Sequence, residues 1–306
     1  MKFLNGRNLL VGTVLGGVLL PSMGWACACG CGVFDVGTSA MFPNSTGGMA
    51  YVNYDYQDQN HNWSGTSQAP AENNDDKRIQ THFVTTGVQY LFNRSWGASL
   101  EIPYANRNFS TAGNTPVNLS GLGDIRIKGL YTGLSEDLST GITLGLKVPS
   151  GSFTDQSDNV DRDTQIGSGS TDLLVGGYYR HNLLSLQNWS WFGQVELDVP
   201  LATQDDYRPG TELDTAAGVY YHGWSIGRTT INPVAQAIFS ERTSDGGLAA
   251  NPDNSGYQRL LLSPGLEFHL HPVTIYADVE LPVYQNVTGN QLVAPYLLKI
   301  SVSYHF

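Results

Sequence analysis

All three cysteines of the chain fall within Cys27-Ala28-Cys29-Gly30-Cys31-Gly32. Thiolates this close in sequence, on a backbone kept pliable by glycine, suit one soft metal such as copper(I) or zinc. Cys27, Cys29 and Cys31 are therefore the candidate metal ligands, and copper or zinc the only cofactor suggested. The same residues admit other chemistry: one strained disulfide, lipidation, or pairing with a second chain. Haem is disfavoured, because the sequence contains no CxxCH. A second cluster, Asp155, Asp158, Asp161 and Asp163 among Gln, Ser, Asn and Thr, offers oxygen ligands to a hard cation but lacks the EF-hand pattern, so a solvated acidic loop is expected. Histidines at 82, 181, 222, 269 and 305 are scattered, and no local sequence around a serine supplies a nucleophile motif. An enzyme is not expected.

The segments that must position these residues begin with 1–26. Lys2 and Arg7 precede an uncharged, mainly apolar run over 9–20, then Pro21 and a short stretch ending in Gly24-Trp25-Ala26, the pattern of a secretory signal peptide. The run is about a dozen residues, short of the roughly twenty of a membrane helix. A lipoprotein with Cys27 acylated competes with this reading, but Gly24-Trp25-Ala26 matches a lipoprotein signal poorly. Cleavage removes two cations and no acid, taking the formal charge from −11 to −13. Such acidity argues against nucleic acid and anionic lipid as partners.

No other segment is apolar enough to span as a helix, so a membrane protein here must be a barrel. Residues 292–306 (LVAPYLLKISVSYHF) alternate without a break, with Tyr296, Leu298, Ile300, Val302, Tyr304 and Phe306 on one face and Lys299, Ser301, Ser303 and His305 on the other. A closing strand ending on an aromatic residue resembles that of a bacterial outer-membrane barrel. Similar alternation recurs about twelve times, over 48–57, 79–92, 96–108, 123–131, 139–149, 170–183, 189–200, 211–222, 229–241, 256–269, 273–284 and 292–306. Short turns at 93–95, 133–138, 184–188, 223–228 and 271–272 alternate with longer polar loops, the mark of an up-and-down barrel with periplasmic turns and external loops. The expected fold is all-β: a transmembrane antiparallel up-and-down barrel of about twelve strands. Its parts are a signal peptide over 1–26, a Cys/Gly-rich periplasmic or plug segment over 27–47, and the barrel over 48–306. Aromatics at 90, 92, 96, 189, 191, 304 and 306 fall where interfacial girdles belong. A soluble sandwich shares the turn pattern, but not strands of ten or more residues.

Alternation also assigns facing. It turns Glu101, Asp124, Arg126, Lys128, Lys147, Arg180, Glu196, Asp198, Asp278, Glu280 and Lys299 toward the lumen, together with Asp172, Arg259 and Glu267. Charges of both signs either pair and fill a narrow barrel or line a wet path that filters solutes.

Three motifs, SGLGDIRIKGLY (120–131), GLKVPSG (145–151) and GSGSTDLLVGGYY (167–179), together resemble the outer-membrane channel family named for the meta-pathway of phenol degradation, itself similar to fatty-acid and aromatic-hydrocarbon transporters. That resemblance implies a Gram-negative outer-membrane channel, with outer-membrane lipid around it and a small organic, often aromatic solute as cargo; the alternation of short turns with long loops puts both termini on the periplasmic side. It also implies that 32–47 folds into the barrel as a plug; a periplasmic tail is the other expectation. Taken as residues, the motifs are architecture first, since Gly121, Gly123, Pro149 and Gly151 suit turns, bulges and strand ends. The alternatives to a channel are a copper- or zinc-linked outer-membrane protein working through the cysteines, and a structural barrel without transport.

Overall fold

The computed structural model describes residues 27–28, 42–43, 45–155, 157, 160–183 and 188–306. The signal region over 1–26, Cys29, Cys31 and Asp158 lie outside the described residues, and of Cys27 only the backbone is described.

Twelve long strands close into one antiparallel barrel. They are β1 Gly47–Gln59, β2 Arg78–Leu91, β3 Trp96–Ser110, β4 Ile125–Tyr131, β5 Thr140–Val148, β6 Ser170–Asn182, β7 Trp189–Thr203, β8 Glu212–Tyr221, β9 Thr229–Arg242, β10 Tyr257–Leu270, β11 Val273–Val293 and β12 Leu297–His305. Each pairs with the next in sequence, and β12 returns to β1 with Lys299 opposite Asp55 and Val302 opposite Val52. This closure leaves no edge, the condition for carrying a sheet through lipid.

Local chemistry explains the tight connections at one end, here the turn end. In the turn between β2 and β3, Asn93 Oδ1 accepts hydrogen bonds from the backbone N–H of Ser95 at 2.8 Å and of Trp96 at 3.0 Å, an Asx-type turn. Between β8 and β9 a short hairpin, Trp224–Ile226 against β9, turns at Gly227 with φ +64°, where only a residue without Cβ sits freely.

The outer wall is apolar. Ile142, Leu144 and Leu146 on β5 and Ile300 and Val302 on β12 are exposed, as side chains facing acyl chains must be. Around the turn end runs a belt of touching rings: Tyr90 with Phe92, Trp96 with Tyr131, Tyr179 with Trp191, Trp189 with Tyr221, and Tyr304 with Phe306. Amphipathic rings at one level suit a lipid–water interface.

Two segments differ from the alternation-based expectation. β11 runs on through 285–293, where a polar loop is expected; a bulge at Leu260/Leu261 shifts its register, and its far end pairs with His61–Gly65. Polar residues serve a strand well once it rises beyond the apolar belt. The fourth crossing is interrupted: Val117–Leu122 and β4 both pair with β3, with Gly123 and Asp124 bulged out between them.

Candidate functional site: the barrel interior

The described residues leave a row of cavities along the barrel interior. At the turn end, one is lined by Phe42, Pro43, Leu91, His271 and His305. Above Phe42, a cavity of about 90 Å³ is bounded by Tyr51, Glu101, Lys128 and Glu196. A central chamber of about 170 Å³ follows, walled by Phe83, Pro103, Ile166 and Tyr207 together with Arg126, Lys147, Asp198 and Glu212. Val160, Tyr207 and Leu248 line a last one at the loop end.

Two inserts divide this space. The first is the amino-terminal segment. Phe42 is buried, with its ring 4.9 Å from that of Tyr178 and 5.5 Å from that of Phe192, while Arg180 donates to the Pro43 carbonyl at 2.8 Å. Phe42 and Pro43 therefore lie inside the barrel and plug its turn end. Further up the chain, Cys27–Ala28 pairs in parallel with Gln291 and Leu292 of β11, toward the loop end.

The second insert is the connection between β5 and β6. Lys77 pairs with Asp161 at 2.6 Å, buried Arg107 donates to the carbonyl oxygens of Thr164 at 2.6 Å and Gln165 at 3.1 Å, and the Arg162 guanidinium lies 4.2 Å from the centre of the Tyr207 ring. Asp161 and Asp163 are buried, so the expectation of a solvated acidic loop is corrected: cations on the barrel wall and aromatic faces draw it inward. Burial pushes the Asp161 carboxyl above its ordinary value, and the Lys77 ammonium opposes that shift.

The three sequence motifs meet at the neck of this insert. Asp124 Oδ1 accepts from the Gly151 backbone N–H at 3.0 Å. Its Oδ2 accepts from Ser168, from the backbone N–H at 2.7 Å and from Oγ at 2.6 Å. Ser150 Oγ donates to the Gly123 carbonyl and accepts from the Ile125 N–H. Gly151 and Gly167 touch backbone to backbone; a Cβ on Gly167 would stand 2.3 Å from the Gly151 oxygen. One carboxylate thus holds both ends of the loop.

Among the other residues assigned by alternation, Glu101, Lys128 and Glu196 cluster, with Lys128 Nζ 2.8 Å from Glu196 and 3.6 Å from Glu101. Lys147 bridges Asp172 and Asp198, and Arg126 lines the central chamber. Arg180 holds the plug. On the far wall, Asp278 Oδ2 accepts from Tyr276 at 2.7 Å, Ser263 at 2.5 Å and Gln236 at 3.2 Å, while Glu280 is buried and Lys299 sits 3.7 Å from Asp55.

Reading only the charges missed two features. Part of the inner wall is apolar, with Phe192, Tyr220, Ile238 and Leu261 all buried on inward positions. Inward glycines also accept rings from the next strand: Tyr51 lies over Gly87 and Tyr178 over Gly141, where an added Cβ would stand 2.1 and 2.2 Å from the rings. The register also brings Ser190 Oγ within 2.5 Å of His222 Nε2, with Asn182 at 2.6 Å. Ser190 faces inward and is buried, away from lipid. Among the described residues, no group of three His, Cys, Asp or Glu is arranged to hold a metal ion.

The arrangement is similar to that of known barrels. An outer-membrane channel from Pseudomonas putida F1 matches at TM-score 0.67 and 12% identity, over 89% of this chain and 100% of that one. The beta domain of the Bordetella autotransporter Brka matches at TM-score 0.51 and 14% identity, over 86% and 100%. Similarity at this identity establishes the fold, an outer-membrane-type barrel. No family model matches the chain, and no curated protein matches it in sequence.

Proposed function

We propose that the protein is an outer-membrane channel for small solutes, with the carboxyl end and the short turns on the periplasmic side, whereas the pairing of Cys27–Ala28 with Gln291 and Leu292 carries the amino-terminal segment to the loop end rather than leaving it periplasmic. The observation that carries this reading is the row of cavities inside a closed wall whose outside is apolar: two inserts and a buried apolar cluster constrict the lumen, and open space remains between them. The Pseudomonas putida barrel, described as an outer-membrane channel, supports it.

Small, weakly polar or aromatic molecules are the proposed cargo. Phe83, Pro103, Ile166 and Tyr207 give the central chamber apolar walls beside its charges, a lining that suits a compact, weakly polar solute. The motif resemblance to the phenol-degradation channel family points the same way. Of the inward charged residues assigned by alternation, Glu101, Asp124, Arg126, Lys128, Lys147, Glu196 and Asp198 border these cavities, and the reading assigns the chain no catalytic step. Liposome swelling with aromatic alcohols, aromatic acids and oligosaccharides tests it: faster entry of the aromatics supports the reading, while uniform exclusion supports a structural barrel. Lipase assay of the purified protein tests the absence of catalysis, with lipid hydrolysis lost in Ser190→Ala as the contrary result.

A further inference from the structure

Glu101 alone borders both the cavity above the plug and the central chamber. It sits on β3, where alternation turns it inward, and its side chain is only 9% exposed. Tyr51 donates to Oε1 at 3.2 Å, and the Lys128 ammonium lies 3.6 Å from the same oxygen. The other oxygen, Oε2, is buried with no hydrogen-bond partner among the described residues. An ionised carboxylate oxygen left in this way is costly unless something else supplies a donor or a positive charge.

The surroundings are biased toward cations on both sides of this point. Lining residues of the central chamber include six carboxylates against Arg126, Lys147, Arg162 and Arg242. Below it, Glu101 and Glu196 face the single ammonium of Lys128. Counted once each, the residues bordering the two cavities are seven carboxylates against five cations, with Arg126 opposite Glu101 in the register, which leaves an excess of negative charge along this stretch of the path. In a lumen of low effective dielectric, one charge at a few ångström outweighs more distant ones.

We propose that Glu101 and Lys128 form an opposed pair that sets the charge selectivity of the path, Glu101 favouring cations and Lys128 opposing it. The proposal rests on the channel reading. Tyr51 is a positioning residue: its ring, seated over Gly87, fixes the carboxylate toward the waist. The pair is also legible as an opposition of sign, since neutralising one member must move selectivity opposite to neutralising the other.

The test is the reversal potential of single barrels in a potassium chloride gradient, for wild type, Glu101→Gln and Lys128→Gln. Wild type should prefer potassium. Glu101→Gln should lower the potassium-to-chloride permeability ratio by about three-fold or more, as expected for one charge at close range in a partly aqueous lumen, and Lys128→Gln should raise it. Heat-modifiable migration of each variant shows that the barrel has folded, and Tyr51→Phe, which keeps the ring, is a variant that folds if packing alone matters and should shift the ratio in the same direction as Glu101→Gln. Conducting barrels whose ratio is the same in wild type, Glu101→Gln and Lys128→Gln overturn this inference alone. A wild-type barrel that passes no ions overturns the channel reading and the inference together.

Discussion

Asp124 and Ser168 are joined twice through one oxygen: Oδ2 of Asp124 accepts both the backbone N–H and the Oγ–H of Ser168, at 2.7 and 2.6 Å. The other oxygen takes the Gly151 N–H, so the inward-folded loop is held at both ends of its neck by one side chain on the wall. Hydrogen bonds to a charged acceptor are worth more than neutral ones. Asp124→Ala should lower stability by about 3 kcal/mol, read as a shift in the urea midpoint of the heat-modifiable form, and should increase conductance as the loop loosens. Asp124→Asn, which keeps one acceptor oxygen, should lie between. Unchanged conductance in a folded Asp124→Ala barrel would show that the loop is held by Arg107 and Lys77 without its neck.

The plug gives a separate prediction. Phe42 contributes a buried ring between Tyr178 and Phe192, and truncating such a ring costs about 3 kcal/mol or more. Here the loss falls on docking of the segment rather than on the barrel. Phe42→Ala should therefore raise single-channel conductance with little change in unfolding, and removal of residues 27–46 should raise it further. Equal conductance in all three proteins would place Phe42 and Pro43 outside the conducting path.

Topology can be checked on whole cells. Leu248, at the tip of the connection between β9 and β10, is 92% exposed, whereas Thr164 and Gln165 are held inside by Arg107. Protease added outside should cut near Leu248 and spare both Thr164–Gln165 and the turn at Asn93. Cutting at Asn93 in intact cells would invert the orientation.

How far the sequence could be read depended on whether an interaction was local. Alternation is local, so period alone turns Ile300 and Val302 outward and Lys299 inward, and the short turns show as the brief gaps between alternating segments. Where polarity ceased to mark a strand end, the reading stopped early: 285–293 carries polar residues because β11 rises past the apolar belt. The inward loop was not legible because the partners of Asp161 and Asp163 come from distant positions, Lys77 and Arg107 among them. Motifs 120–131, 145–151 and 167–179 looked like separate strand ends, and only the register of β4, β5 and β6 brings them to Asp124. The rings over Gly87 and Gly141 need cross-strand pairing to be seen. The proposed channel-lining role of the inward charges rests on the Glu101 and Lys128 variants above.

The cysteines yield a prediction of independence. Among the described residues, the cysteines meet the wall through the backbone pairing of Cys27–Ala28 with Gln291 and Leu292. Changing Cys27, Cys29 and Cys31 together to serine should leave heat-modifiable folding and solute flux unchanged. Mass spectrometry of the mature protein reports cleavage point, acylation and disulfides, and metal analysis before and after chelation reports copper or zinc. Loss of flux in the serine variant together with loss of one bound copper or zinc would favour a metal-linked protein over a simple channel.

The central claim is that the constricted interior passes small molecules, and liposome swelling tests it most directly. Purified wild-type protein and the variant lacking residues 27–46 should be reconstituted side by side and challenged with an aromatic alcohol, an aromatic acid and an oligosaccharide. The account predicts measurable entry of both aromatics through wild type, faster entry through the variant without the plug, and exclusion of the oligosaccharide by wild type. Absence of flux for every solute in both proteins, with each barrel folded by heat-modifiable migration, would contradict it.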